Sequence, residues 1–178
     1  MTAPVRKSAR ARLKSVHGRP GFMIRRAHQI ALSVFADTLA PLEVTSTQFG
    51  VLIILGCMPG IDQITLARLL GLDRSTTAMV VDLLVSRALV ARTVHGTDRR
   101  KRELLLTKAG RKVVERGEPL ARRARDVLLE PFEADERREF MRLLEKFNRH
   151  FNDRVRVRVE QPDTKTRRVK EKTPPSRA

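Results

Sequence analysis

The chain has 178 residues, 41% of them apolar, which is enough for one domain with a sizeable core. Only 4% are aromatic, with neither Trp nor Tyr, so that core must be aliphatic. The 37 Lys and Arg residues against 20 Asp and Glu residues give a net charge of +17, which favours a polyanionic partner such as nucleic acid or an anionic membrane surface. The single cysteine, Cys57, excludes an internal disulfide and fits a reducing compartment.

The distribution of charge and hydropathy favours nucleic acid over membrane. Residues 1–19 carry +6 and residues 160–178 carry +3, so the body between them keeps +8 of the total. The first 30 residues contain no apolar run of the kind found in signal peptides. The most apolar run, residues 49–58, has about half of the ~20 residues that a membrane span needs and is typical of a buried helix. The sequence therefore predicts a cytoplasmic protein without a membrane partner.

The N-terminal part predicts an arm and two helices. Residues 1–20 are basic and predict a flexible arm. A helix is predicted from Phe22 to about Leu39, and its apolar arc is so wide that it must pack against more than one surface. Thr45, with Gln three residues later, resembles a capping box and predicts the start of an apolar helix that ends near Met58. Cys57, at the end of that helix, is interpreted as a buried structural thiol.

The next segment predicts two short helices joined by a tight turn. Asp62 caps the first, Gln63–Leu70; Gly71 breaks it, and Asp73 caps a longer helix that runs to Arg87. Ala67 is small enough for close approach, and the apolar wedge between the helices consists of Leu66, Leu70, Leu72 and Val80. This pattern is typical of a helix-turn-helix, although two ordinary helices of an α bundle share it. The residues placed at the N-terminal end of the second helix, which enters the major groove in such proteins, are Arg74, Ser75, Thr76 and Thr77.

A β-hairpin is predicted directly afterwards. Residues 89–95 are rich in β-branched side chains, residues 95–98 supply a turn, and residues 102–107 return as a second strand. The turn carries four consecutive basic residues after an Asp, namely Asp98, Arg99, Arg100, Lys101 and Arg102. A solvated charge run is one interpretation. A wing that contacts phosphate and enters the minor groove is the other, and it fits the preceding helix-turn-helix.

The remaining chain predicts helices and a tail. Thr107 caps a helix that Pro119 should kink or divide, because proline removes a backbone donor. The last helix is predicted from Ala134 to Val157, with an apolar side. Residues 160–178 are polar and basic and predict a disordered tail.

Three stretches together, residues 66–73, 83–90 and 98–110, resemble the MarR family (multiple-antibiotic-resistance regulators) in the same order, and the match spans roughly residues 20–157. In the wing of that family, an Asp two residues before an Arg holds the tip in shape; here these are Asp98 and Arg100. The resemblance implies a fold that is mainly α with a small β-hairpin wing, a winged helix-turn-helix dimerised through its N- and C-terminal helices. In this division, residues 45–107 form the DNA-binding lobe, and residues 21–44 and 108–159 form the dimerisation region.

Three positions depart from the family pattern. Glu43 and Ala88 stand where the family usually has Gly, and positive φ at Ala88 would cost roughly 1 kcal/mol. Met79 stands where many members carry Arg on the recognition helix. The base contact of that Arg is therefore not assigned to Met79.

The resemblance also implies a homodimer on double-stranded DNA and a small anionic effector. The polar residues of the first helix that would hold the effector are Arg25, Arg26 and His28. Interface salt bridges and a satisfied core histidine are the alternative interpretation of these three residues. The predicted function is a repressor that leaves a palindromic operator when an aromatic acid or an acyl-CoA thioester binds.

No motif for catalysis, metal or cofactor binding occurs in the sequence. There is no His-Glu-x-x-His, Gly-rich phosphate loop or cysteine pair, and the four histidines form no recognisable set with a nucleophile and an acid. The sequence therefore predicts a protein that is not an enzyme. The alternative is a sequence-nonspecific architectural DNA-binding protein that uses its basic tails.

Overall fold

The computed structural model describes residues 12–94 and 102–160, which are mainly α-helical with an antiparallel β-hairpin. The helices are α1 (Pro20–Leu39), α2 (Ser46–Cys57), α3 (Gln63–Leu70), α4 (Arg74–Ser86), α5 (Lys108–Leu129) and α6 (Ala134–Phe151). The strands are β1 (Val90–Val94) and β2 (Arg102–Leu106), and short 3-10 turns occupy Ala40–Leu42 and Asn152–Arg154. The predicted fold class, with its small hairpin among helices, is confirmed.

Residues 12–17 are helical, which corrects the prediction of a flexible arm for this part of the chain. The Gly18 N–H donates to the Lys14 carbonyl at 3.1 Å, and the His17 ring stacks on Phe22 with centroids 4.7 Å apart. These local contacts favour helix before α1 begins. The rest of the predicted arm, residues 1–11, lies outside the described residues.

Side-chain caps set the starts of α2, α3 and α5, as predicted. Thr45 Oγ1 accepts from the Gln48 N–H at 3.2 Å, and Gln48 Oε1 accepts from the Thr45 N–H at 3.1 Å, which completes the capping box. Asp62 Oδ1 accepts from the Thr65 N–H at 2.8 Å, and Thr107 Oγ1 accepts from Gly110 at 3.0 Å. Each such cap contributes about 1 kcal/mol and needs only local sequence.

The core lies among α2, α3, α4 and the hairpin, and it is aliphatic as predicted. Its fully buried side chains include Leu39, Val51, Leu52, Leu66, Val81 and Leu84. The apolar run 49–58 forms most of the buried helix α2, but Cys57 is exposed, which corrects its assignment as a buried thiol. The core-facing stripe of α2 passes through Leu52 and Leu55 at helical spacing, and Cys57 falls on the other side of the helix.

Helix α5 continues through Pro119 from Lys108 to Leu129, so the predicted division of this helix does not occur. Proline in a helix interior costs about 3 kcal/mol. Packing of α5 against α1 and α2 offsets that cost. Gly117 lies so close to the Phe49 ring that a Cβ would sit 2.2 Å from Cε2, which shows how tightly the helices pack.

Among residues 12–94 and 102–160, two residues other than glycine adopt left-handed backbone conformations, Glu43 with φ 52° and Ala88 with φ 54°. Both stand where the resemblance to the MarR family leads one to expect glycine, and each carries a strain of roughly 1 kcal/mol. The Arg87 side chain joins the two turns, because its Nη1 donates to the Glu43 carbonyl at 2.5 Å.

The hairpin pairs Val90 with Leu106 at its base and Val94 with Arg102 at its outer end. Leu104 extends the pairing to the segment before α3, since its carbonyl accepts from Gly60 at 3.0 Å and its N–H donates to Ile61 at 3.0 Å. The hairpin is therefore fixed beside the first helix of the α3–α4 pair.

Helix α6 ends at Phe151, short of the predicted Val157, and the Asn152 side chain directly after it holds the backbone of Val159. Its Oδ1 accepts from the Val159 N–H at 2.9 Å and its Nδ2 donates to the carbonyl at 3.1 Å. The Glu160 N–H then donates to the Arg68 carbonyl on α3 at 3.0 Å. Residues 152–160 thus reach the end of α3, and the predicted tail beyond residue 160 lies outside the described residues.

No single helix in residues 12–94 and 102–160 is long and apolar enough to cross a bilayer. One bent pair of helical segments is long and apolar enough for a span when its two halves are taken together. These halves are Pro20–Leu42 and Ser46–Cys57, with 66° between them.

Candidate nucleic-acid interface

Helices α3 and α4 form the predicted helix-turn-helix. Gly71 ends α3 with φ 64°, and the Leu72 N–H donates to the Ala67 carbonyl at 3.0 Å, which closes the turn. Ala67 is buried at the helix crossing. Of the predicted wedge, Leu66 is fully buried, and Leu70, Leu72 and Val80 are half-buried. The turn residue and the small residue at the crossing are thus where sequence analysis placed them.

Asp73 organises the N-terminal end of α4. One carboxylate oxygen accepts from the Ser75 hydroxyl at 2.6 Å and from the Thr76 N–H at 2.8 Å, and the other accepts from the Thr76 hydroxyl at 2.7 Å. The hydrogen bond from the Ser75 hydroxyl, followed by those from Thr76, holds the pKa of Asp73 well below its ordinary value of 3.8. Both hydroxyl protons are committed to Asp73, so in this arrangement Ser75 and Thr76 can only accept hydrogen bonds from a ligand.

We expect Asp73 to make stability depend on pH. A carboxyl whose pKa is lowered in the folded state stabilises it above the unfolded pKa, and this stabilisation is lost as pH falls from about 4 toward the folded pKa. Urea unfolding from pH 7 to pH 3 should therefore show a free-energy difference between wild type and Asp73→Ser that shrinks below about pH 4. Serine retains a capping oxygen without titrating. A difference that stays constant over this range would contradict the assignment.

The four predicted residues of the second helix do not share one environment. Arg74 and Ser75 are exposed, and Thr76 is half-buried. Thr77 is fully buried and its hydroxyl donates to the Asp73 carbonyl at 2.8 Å. This corrects the placement of Thr77 among DNA-facing residues, because its position on the helix points into the core beside Val81.

The exposed face of α4 continues through two residues that sequence analysis did not include among the DNA-binding residues. Met79 and Asp82 follow Ser75 at helical spacing and are exposed. Arg92 of β1 pairs with Asp82 Oδ1 at 2.5 Å, and its guanidinium donates to Gln63 Oε1 at 3.4 Å. The i, i+4, i+7 spacing from Ser75 could have identified Met79 and Asp82. Arg92 could not be found this way, since its contact depends on how the hairpin packs against α4.

The structure describes one of the five predicted wing residues. Arg102 is exposed at the start of β2, opposite Val94. The other four, Asp98, Arg99, Arg100 and Lys101, lie outside the described residues.

The three predicted effector residues are exposed on α1. The Arg25 guanidinium lies 4.9 Å from the Phe22 ring centroid, a cation–π contact. His28 is exposed within the single chain. In the described part of the chain, no group of three or more His, Cys, Asp or Glu side chains could hold a metal ion.

A helix-turn-helix with a hairpin fixed beside it defines a winged helix-turn-helix protein. The model of the MarR family matches residues 44–101, which include α2, α3, α4 and β1. Together with the solved relatives described next, this match shows that the chain belongs to the MarR family of transcription regulators. The proteins of this family are regulators rather than enzymes.

Two solved structures and one curated relative illustrate the similarity. The PcaV transcriptional regulator from Streptomyces coelicolor, in complex with its natural ligand, is 35% identical with a TM-score of 0.68, over 74% of this chain and 93% of that one. A mutant MarR from E. coli with operator DNA is 27% identical with a TM-score of 0.67, over 71% and 91%. The transcriptional regulatory protein for the hcr operon of Thauera aromatica is 36% identical over 97 residues, 54% of this chain and 58% of its own length.

Proposed function

We propose that the chain is a homodimeric, ligand-responsive repressor that binds a palindromic operator through the lobe of residues 45–107. The observation that carries the proposal is the exposed start of α4, where Arg74 and Ser75 lie beside an Asp73-capped helix N-terminus. The exposed Arg74 guanidinium suits a phosphate, and the exposed side chains of this helix end reach base edges in the major groove. The E. coli relative with this fold was solved on its operator, which supports the same use here.

The wing supplies the second DNA contact in this proposal. Arg102 stands at the outer end of the hairpin, and the basic residues before it continue in sequence toward the tip. Arg99, Arg100 and Lys101 would contact phosphates and the minor groove, with Asp98 shaping the tip.

The dimer would form from residues 21–44 and 108–159. Helix α6 has no buried residue in the described chain, although one side of it is strongly apolar. The exposed apolar side chains of α1 and α6 include Met23, Ile24, Ile30, Leu32, Phe140, Leu143, Leu144 and Phe147. A second copy of the chain would cover these two faces and place two lobes on successive turns of DNA.

The effector would be a small anion, an aromatic acid or an acyl-CoA thioester, held by Arg25, Arg26 and His28 between the dimer helices and the lobe. The guanidinium groups suit a carboxylate or phosphate. Effector binding would favour a lobe spacing that no longer fits two successive major grooves, and the operator would be released. The ligand complex of PcaV supports this mode of control, which would operate in the cytoplasm.

The proposal is tested by selecting bound sequences from random duplex DNA with the full chain, and by identifying small molecules that co-purify with it. We expect a palindromic consensus and a bound anion that weakens operator binding when it is added back. Binding that ignores sequence and every added small molecule would show an architectural DNA-binding protein instead.

A further inference from the structure

The outward face of α4 has an apolar centre. Met79 is 68% exposed, more than any other large apolar side chain among the described residues. It lies in the middle of the helix, four residues after Ser75 and three before Asp82, so polar residues flank it on the same face. The apolar surface of α1 and α6 belongs to other elements. Met79 is therefore the most exposed apolar side chain of the helix that would enter the major groove, with Leu83 exposed to 45% one turn further along.

The polar neighbours of Met79 are already engaged within the chain. The Ser75 hydroxyl proton goes to Asp73, and the Asp82 carboxylate is paired with Arg92. Since Ser75 is held by Asp73 and Asp82 by Arg92, the thioether side chain of Met79 is the flexible group at the centre of this face.

The chemistry of the groove limits what Met79 can recognise. Base pairs present hydrogen-bond donors and acceptors in the major groove, together with a single apolar group, the C5-methyl of thymine. Methionine has no donor and only a weak acceptor, so placing it on a polar base edge would leave that edge unpaired. Contact with the thymine methyl instead removes apolar surface from water on both sides.

We propose that Met79 is a specificity-determining residue that selects an A·T pair in each half-site by packing on the C5-methyl of thymine. This inference rests on the proposed function, because it requires that α4 enters the major groove of a defined operator. It predicts an operator whose affinity depends on a methyl group rather than on a hydrogen bond at that position.

The test replaces each thymine of the selected operator with deoxyuridine, which lacks only the methyl group and pairs in the same way. Competition binding at one fixed salt concentration should reveal one symmetric position where wild type loses about fourfold per half-site, and about fifteenfold when both half-sites carry uracil. Met79→Ala should lose about the same factor on the thymine operator and bind the thymine and uracil forms equally.

Leu83→Ala is the matched control, because Leu83 is also exposed and apolar, one turn further along α4. It should keep the full preference for thymine. Thermal melting should be unchanged in Met79→Ala, since this side chain is exposed and its loss removes no core contact.

The outcomes separate this inference from the proposed function. If a consensus is found but wild type tolerates uracil everywhere, or Met79→Ala retains the thymine preference, the role of Met79 is overturned and the repressor remains. A thymine preference that disappears in Leu83→Ala would also overturn it. If no consensus is found at all, both the repressor and the role of Met79 fall.

Discussion

Replacing Gly110 with alanine is expected to lower the free energy of unfolding by about 3 kcal/mol or more. A Cβ at this position would lie 2.1 Å from the Leu89 carbonyl oxygen and 3.2 Å from the Leu106 side chain. The first of these contacts is with backbone, which cannot move aside as a flexible side chain does. The better helix propensity of alanine stabilises the fold by at most about 1 kcal/mol. The clash is larger, so the net change in the free energy of unfolding is a decrease.

Thermal melting measures this effect, with an expected fall in Tm of about 6 to 12 °C for a chain of this size. Gly56→Ala is the matched control, because Gly56 is also helical and its Cβ would meet only the Leu106 side chain at an ordinary 3.5 Å. Its melting temperature should be equal or higher. Equal melting of wild type and Gly110→Ala would show that α5 does not start against the Leu89 backbone.

The junction around Gly110 explains why some departures from the family pattern are tolerated. Ala88 adopts φ 54° at a cost of roughly 1 kcal/mol, and its carbonyl accepts from the Thr107 hydroxyl at 2.7 Å. Thr107 also caps α5 and bonds through its N–H to the Leu89 carbonyl at 3.1 Å. Strain at one residue is offset by this network, whereas a backbone overlap at Gly110 has no such compensation.

Features with local causes could be predicted from the sequence. The capping box at Thr45, the caps at Asp62 and Asp73 and the left-handed Gly71 depend on residues within a few positions, and the structure has all four. The hairpin followed from a segment rich in β-branched residues, a turn signal and a second apolar segment after it. The helix-turn-helix and the two paired strands were therefore predictable without knowledge of the packing.

Features that depend on packing between distant segments could not be predicted. Thr77 is near the polar start of α4, yet the rotation of the helix against the core buries it. Pro119 is a helix breaker by local rules, but the packing of α5 outweighs it. The contact between Glu160 and Arg68, with an ion pair at 3.5 Å, joins residues far apart in sequence and has no local signal.

The apolar side of α6 leads to the second large expected effect. Leu143→Glu should convert the proposed dimer to monomers, raising its dissociation constant by about a thousandfold or more. Each subunit would bury one unpaired carboxylate, at an effective cost of several kcal/mol per ion. Because a twofold interface contains residue 143 of both subunits, this cost arises twice. Because two linked lobes bind far more tightly than one, operator affinity should fall by a factor on the order of 10² to 10⁴.

Sedimentation velocity and operator binding by fluorescence anisotropy measure the two effects on the same samples. Arg138→Gln is the matched control, because it changes the net charge by the same amount on the opposite side of α6, where Arg138 pairs with Asp135 of its own helix. It should remain dimeric and bind the operator. Since α6 contributes no buried residue to the described chain, circular dichroism should show the lobe still folded in Leu143→Glu. A Leu143→Glu variant that stays dimeric, or a wild type that sediments as a monomer, would show that the apolar side of α6 does not form a dimer interface.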